Sequence, residues 1–179
     1  MKGIIFTEFL DLVEDTFGLE MVDQIISESE LPSEGAYTAI GTYSFSEMLQ
    51  LIQNLSKHTK IPVDDLLLTY GEHFFSVIET NYAGLLATYN DPIEMLSSIE
   101  NHIHVEVQKI YPDAELPTFI VQEKTATTLI MVYKSNRAMH HFGLGLMNKT
   151  FEHFNSSAEI ILEKIKDDGT EVKFIITKH

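Results

Sequence analysis

Cysteine and tryptophan are both missing from the 179 residues, and basic residues are scarce. Without cysteine there is no disulfide, no thiolate metal site, no iron–sulfur cluster and no covalent C-x-x-C-H attachment of a cofactor. Twelve Lys and Arg stand against 27 Asp and Glu, a formal net charge of −15 at pH 7. That balance argues against nucleic acid or an anionic membrane as the partner, because phosphate binding needs a basic face. Small molecules and basic protein surfaces stay open. No run approaches the roughly 18 apolar residues needed to span a bilayer. The Met1-Lys2-Gly3-Ile4-Ile5-Phe6 opening is followed by Glu8, Asp11, Glu14 and Asp15, which break any signal-peptide core. A cytoplasmic location is therefore expected.

What is present reads as one globular domain over 1–179, with 44% hydrophobic and 22% charged residues. The first half is helical in pattern. Ile5, Phe9, Leu12 and Val13 recur at helical spacing up to a stop at Phe17-Gly18. Val22, Ile25 and Ile26 mark a second helix, and Met48, Leu51, Ile52 and Leu55 a third. A fourth starts at Pro62, with an interruption expected near Gly71 before it resumes over Phe74, Phe75, Val77 and Ile78. Asp91-Pro92-Ile93-Glu94 combines a cap, a first-turn proline and a capping acid, so a single helix is expected from there to about Ile110. Tyr111-Pro112 ends it.

After Pro117 the period changes. Thr118 to Gln122 and Thr128 to Lys134 read as paired strands, and a helix is expected over about 138–154. The chain finishes in a hairpin of Glu159 to Lys166 and Glu171 to Lys178 around Asp167-Asp168-Gly169. Helices followed by four antiparallel strands with one inserted helix make an α+β fold.

Eight histidines are the first place to look for chemistry. No pair has the i, i+4 spacing that lets one helix chelate a metal. His102 and His104 lie two apart, about 200° around a helix, and cannot share an ion. A porphyrin is different, because it brings four nitrogens and asks the protein for one. On the 91–110 helix the apolar stripe is Leu96, Ile99, Ile103, Val107 and Ile110, with His104 near one edge and His102 beyond the other. Tyr133-Lys134-Ser135-Asn136-Arg137 stands at a strand end, where Tyr133, Ser135 and Arg137 are expected on one face, roughly 6–7 Å apart. Two hydroxyls and a guanidinium there form a receptor for two carboxylates on one rigid ligand.

Together these pieces resemble the haem-nitric oxide/oxygen-binding (H-NOX) family. The resemblance covers nearly the whole chain: Met1-Lys2-Gly3-Ile4-Ile5, Tyr70-Gly71 before Phe74, His104 seven residues ahead of Tyr111-Pro112, Pro117, and Tyr133-x-Ser135-x-Arg137. It implies a haem enclosed between a helical part of about 1–60 and a second part of about 61–179 carrying the ligand helix and the sheet. It implies haem b bound without covalent attachment, His104 as the proximal iron ligand, and Tyr133, Ser135 and Arg137 on the propionates. Pro117 looks like the residue that bends the macrocycle, and Ile5 and Phe9 look like distal wall.

Oxygen-binding members of the family have a tyrosine five residues after the signature arginine. Phe142 stands there and has no hydroxyl to donate, although His140 and His141 flank it. The resemblance therefore implies a non-catalytic nitric oxide sensor that also takes carbon monoxide. Its signal would pass to a separate partner, a histidine kinase or an enzyme making or degrading cyclic diguanylate. An oxygen or redox haem sensor is the alternative, with a peroxidase-like haem enzyme behind it. A peroxidase wants a polar acid–base group beside the distal iron position, which Phe142 does not supply. Gly143 to Thr150 nearly matches a phosphate loop, but Asn148 replaces the second glycine and the segment falls inside a helical stretch.

Overall fold

Asp91 caps its helix as its sequence context requires: its Oδ1 accepts the N–H groups of Ile93 at 2.8 Å and Glu94 at 3.2 Å. The computed structural model describes residues 1–179, and its contacts divide the chain into two units, 1–70 and 71–179.

In the first unit, α1 (Gly3–Phe17) and α2 (Leu19–Ser27) are separated by Gly18, whose φ of +88° favours glycine. Then comes α3 (Phe45–Thr59), capped by the Ser44 hydroxyl. Phe6, Phe9, Val13, Ile25, Met48, Leu51 and Leu55 make the core. The 28–44 segment is pinned by a buried carboxylate, Glu47, which accepts from the Ser33 and Tyr37 hydroxyls. The buried Tyr70 donates to the Ile5 carbonyl at 2.5 Å, fixing the incoming part of α4 (Val63–Asn81) onto α1.

The expected break near Gly71 is absent, because α4 is one continuous helix. The glycine serves packing instead. A Cβ at residue 71 would lie 2.1 Å from the carbonyl oxygen of Phe142, so only a bare Cα allows this approach.

The second unit continues through the short α5 (Ala83–Leu86) and α6 (Pro92–Ser97). The single helix expected over 91–110 is not regular. A π turn occupies Ile99–Ile103, and α7 (His104–Ile110) follows. The N–H of Ile103 reaches the carbonyl of Ser98 at 3.3 Å, the wider ring of π winding. The stripe consequently fades: Leu96 is buried, Ile99 and Ile103 are partly buried, and Ile110 is 51% exposed.

Strands β1 (Thr118–Lys124), β2 (Thr128–Lys134), β3 (Ala158–Lys164) and β4 (Glu171–Lys178) form one antiparallel sheet in the order β1-β2-β4-β3. Helix α8 (His140–His153) is inserted between β2 and β3. The architecture is the expected α+β. Period-2 alternation puts Leu129, Met131, Tyr133, Val172, Phe174 and Ile176 on the inner face, where Ile93, Leu96, Met147 and Phe151 cover them. No helix is long and apolar enough to cross a membrane.

Candidate functional site

His104 is the first residue of α7, directly after the π turn. Its Nδ1 lies 3.1 Å from Glu100 Oε1, and its side chain keeps 16% of its exposure. Burial pushes the imidazole below its ordinary pKa, and the Glu100 carboxylate only partly opposes this. The neutral ring therefore donates its Nδ1 hydrogen to Glu100 and leaves the Nε2 lone pair for another group. His102 is committed differently, with its Nδ1 2.5 Å from the Tyr89 hydroxyl.

A row of rings leads from His104 into the sheet. Its ring centroid is 6.1 Å from that of Phe119, which is 5.5 Å from that of Tyr133, which is 6.3 Å from that of His140. Tyr133 is buried at the end of β2, and its hydroxyl accepts the Met139 N–H at 3.0 Å. Burial raises its pKa against the influences of Ser135, the Met139 amide and Arg137, so the phenol keeps a proton to donate.

Ser135 and Arg137 depart from the strand expectation. The strand ends at Lys134, and a turn carries both residues. Within it the Ser135 hydroxyl accepts the Arg137 N–H at 3.2 Å, and Ala138 takes a left-handed φ of +51° to enter α8. The turn, and not β alternation, brings them together. They line a cavity of about 400 Å³ with Glu115, Leu116, Lys134 and Asn136; Tyr133 is not on that lining.

Arg137 grips a carboxylate there. Its Nη2 donates to Glu115 Oε2 and its Nη1 to the Glu115 carbonyl, both at 2.6 Å. The Glu115 side chain is 83% exposed, so another carboxylate can replace it at little cost.

The remaining candidates divide between the units. Ile5 and Phe9 lie on α1; Phe9 is buried edge-on against Tyr70, with centroids 5.4 Å apart. Pro117 immediately precedes β1. Phe142, in the first turn of α8, packs on Phe74 at 5.6 Å. His140 is buried against the β3–β4 turn, where a Cβ on Gly169 would come within 2.7 Å of its Cε1. The phosphate-loop resemblance has no loop behind it, since Gly143 to Thr150 lies wholly within α8.

The residues present fit a flat dicarboxylate cofactor. A neutral imidazole with a fixed tautomer supplies a nitrogen donor. Arg137 binds a carboxylate with a charge-assisted pair. Gly143 is buried, yet a Cβ there would meet only Phe119 Cζ, at 3.9 Å, so the wall of α8 beside that ring is open. Sequence reading missed Glu100, Glu115 and Phe119. Glu100 had a signal in its i, i+4 spacing to His104; the other two had none.

Comparison with known proteins agrees with this chemistry. Residues 2–162 match the family model described as haem-NO-binding. A mutant H-NOX protein from K. algicida, solved as unliganded Fe(II), is 83% identical, covers 100% of this chain and 97% of its own, and superposes with a TM-score of 0.99. The H-NOX from Shewanella woodyi, solved as Fe(II)CO with IWP-051 bound, is 35% identical over 100% of this chain and 95% of its own, with a TM-score of 0.84. An S. oneidensis H-NOX in the Fe(II)NO state, 23% identical, shares the fold at a TM-score of 0.91 over 100% of this chain and 99% of its own. The chain belongs to the haem-NO-binding (H-NOX) family. Members are haem-based gas sensors and not enzymes.

Proposed function

We propose that this protein is a nitric oxide sensor that binds haem b through His104. The observation that carries the reading is the Nδ1 bond from His104 to Glu100, which orients the ring and leaves Nε2 to coordinate iron. The engagement of His102 by Tyr89 supports choosing His104. Tyr133, Ser135 and Arg137 hold the propionates, which displace the exposed Glu115 carboxylate from the guanidinium. Pro117 presses on the macrocycle, while Ile5, Phe9 and Phe142 belong to the distal side.

Bound ferrous haem supplies the iron at which diatomic gases coordinate, and nitric oxide, unlike carbon monoxide, strongly weakens the bond to the opposite ligand. Phe142 decides the choice of gas: with a phenyl ring packed on Phe74 it offers no hydrogen bond to bound oxygen. His104 turns ligation into motion, because α7 is tethered through it. A gas biases a partner only through its different affinity for two conformations, and the His104 bond makes that difference. The partner is a histidine kinase or an enzyme of cyclic diguanylate turnover in the cytoplasm.

The test is spectroscopic. The ferrous protein should bind nitric oxide and carbon monoxide and form no stable complex in air. The protein with His104→Gly should lose its iron–histidine band and regain a five-coordinate ferrous spectrum with imidazole. A persistent oxygen complex would refute the role of Phe142, and an intact iron–histidine band would refute that of His104.

A further inference from the structure

One oxygen of Glu100 meets two donors. Its Oε1 accepts the main-chain N–H of Phe119 at 2.8 Å and lies 3.1 Å from His104 Nδ1. The two partners belong to different elements, since Phe119 is the second residue of β1 and His104 opens α7. β1 is an edge strand, so an N–H not spent on β2 needs another acceptor, and Glu100 is that acceptor. Phe119 itself is buried, with its ring between those of His104 and Tyr133.

The π turn makes the arrangement possible. Glu100 lies within it and His104 follows it, and the i, i+4 spacing keeps both side chains on one face. Glu100 keeps a side-chain exposure of 36%. It nevertheless stands where it holds both the imidazole and the strand that starts directly after Pro117.

We propose that Glu100 is a positioning residue that couples His104 to β1, setting the donor strength of the imidazole and carrying its displacement into the strand. This rests on the reading of His104 as the iron ligand. A carboxylate accepting from Nδ1–H gives the ring part of the character of an imidazolate, so Nε2 binds iron more strongly and the ferric state is favoured. Movement of the ring pulls on Oε1, and the same atom holds the Phe119 amide. The strand is thus coupled to ligation through two hydrogen bonds in series. The rings at Phe119 and Tyr133 give that displacement a packed route toward the turn bearing Ser135 and Arg137.

Glu100→Gln keeps the shape and removes the charge, so it is the variant of choice, with Glu100→Ala beside it. In the ferrous haem protein, Glu100→Gln should shift the iron–histidine stretch to lower wavenumber, raise the ferric/ferrous midpoint potential and weaken haem retention about tenfold. In the haem-free protein, nitrogen NMR should show His104 as the Nδ1–H tautomer in the wild type and shifted toward Nε2–H in Glu100→Ala. Amide exchange at Phe119 should quicken in Glu100→Ala. A purely structural carboxylate would change the Phe119 exchange and leave the stretch, the potential and the tautomer as in the wild type; that result overturns the proposal. The separate control is His104→Gly: if it kept the iron–histidine band, the ligand assignment would fail, a result distinguishable from failure of the coupling.

Discussion

The Cα of Gly71 faces the carbonyl oxygen of Phe142 so closely that a methyl group would sit 2.1 Å from it. The obstacle is backbone, not the tip of a flexible side chain, so α4 and α8 must separate if anything larger stands there. Gly71→Ala should cost about 1–3 kcal/mol as overpacking, seen as a thermal midpoint lowered by several degrees. The amide signals of Phe142 and its neighbours should move with it. Unchanged melting and unchanged signals would contradict the close approach.

His102 and Tyr89 form a pair whose role is structural. Replacing His102 by Gly should leave the ferrous spectrum nearly as it was, while lowering stability by about 1 kcal/mol for the lost hydrogen bond. Loss of axial ligation in this variant, measured by the iron–histidine stretch, would reverse the assignment of the two histidines.

Arg137 and Glu115 should act in opposite directions. A buried charge-assisted bond contributes about 1.5–3 kcal/mol, so Arg137→Ala should weaken haem retention by about one to two decades. Glu115→Gln removes the carboxylate that competes for the guanidinium, and retention should hold or rise. Transfer of haem to apomyoglobin measures both. Weaker retention in Glu115→Gln would mean that the glutamate supports the cofactor.

Asp91 supplies a pH dependence. Burial raises its pKa, but Lys178 and the N–H groups of Glu94 and Ile93 outweigh that and hold the carboxyl below its ordinary value. A folded value below the unfolded one gives stability that is complete above the unfolded pKa of about 3.9 and fades as pH falls through the folded value. Asp91→Ala should cost about 0.5–2 kcal/mol near neutral pH, as loss of an N-cap does. The gap from the wild type should close below about pH 3. A constant gap in urea melts across that range would remove the carboxylate from the explanation.

Much of this was legible in the sequence, for physical reasons that differ by element. Strand β2 carries its own alternation, and Asp167-Asp168-Gly169 turns the chain where glycine takes a φ of +75°. The cap at Asp91 needs only local bonds and was equally plain. The π turn was not legible, because its residues are ordinary helix formers and what selects the wider winding lies in tertiary contacts such as Glu100 with the Phe119 amide. Gly71 read as a breaker because its real partner, the Phe142 carbonyl, is 71 positions away in sequence. The Tyr133, Ser135 and Arg137 set was found by its spacing although its geometry comes from a turn, since side chains two apart can converge in more than one backbone.

The π turn before His104 also makes the direction of that side chain a matter of counting. Each residue of an ordinary helix advances about 100°, and the wider turn takes in one more residue before the chain resumes α winding. Shortening the 97–103 stretch by a single residue would restore regular winding and rotate the histidine off its carboxylate. The stretch therefore has a fixed length but not a fixed composition. Exchanges of its exposed side chains leave the aim of His104 alone, whereas a one-codon deletion there would cost the protein its axial nitrogen with every other residue of the site intact.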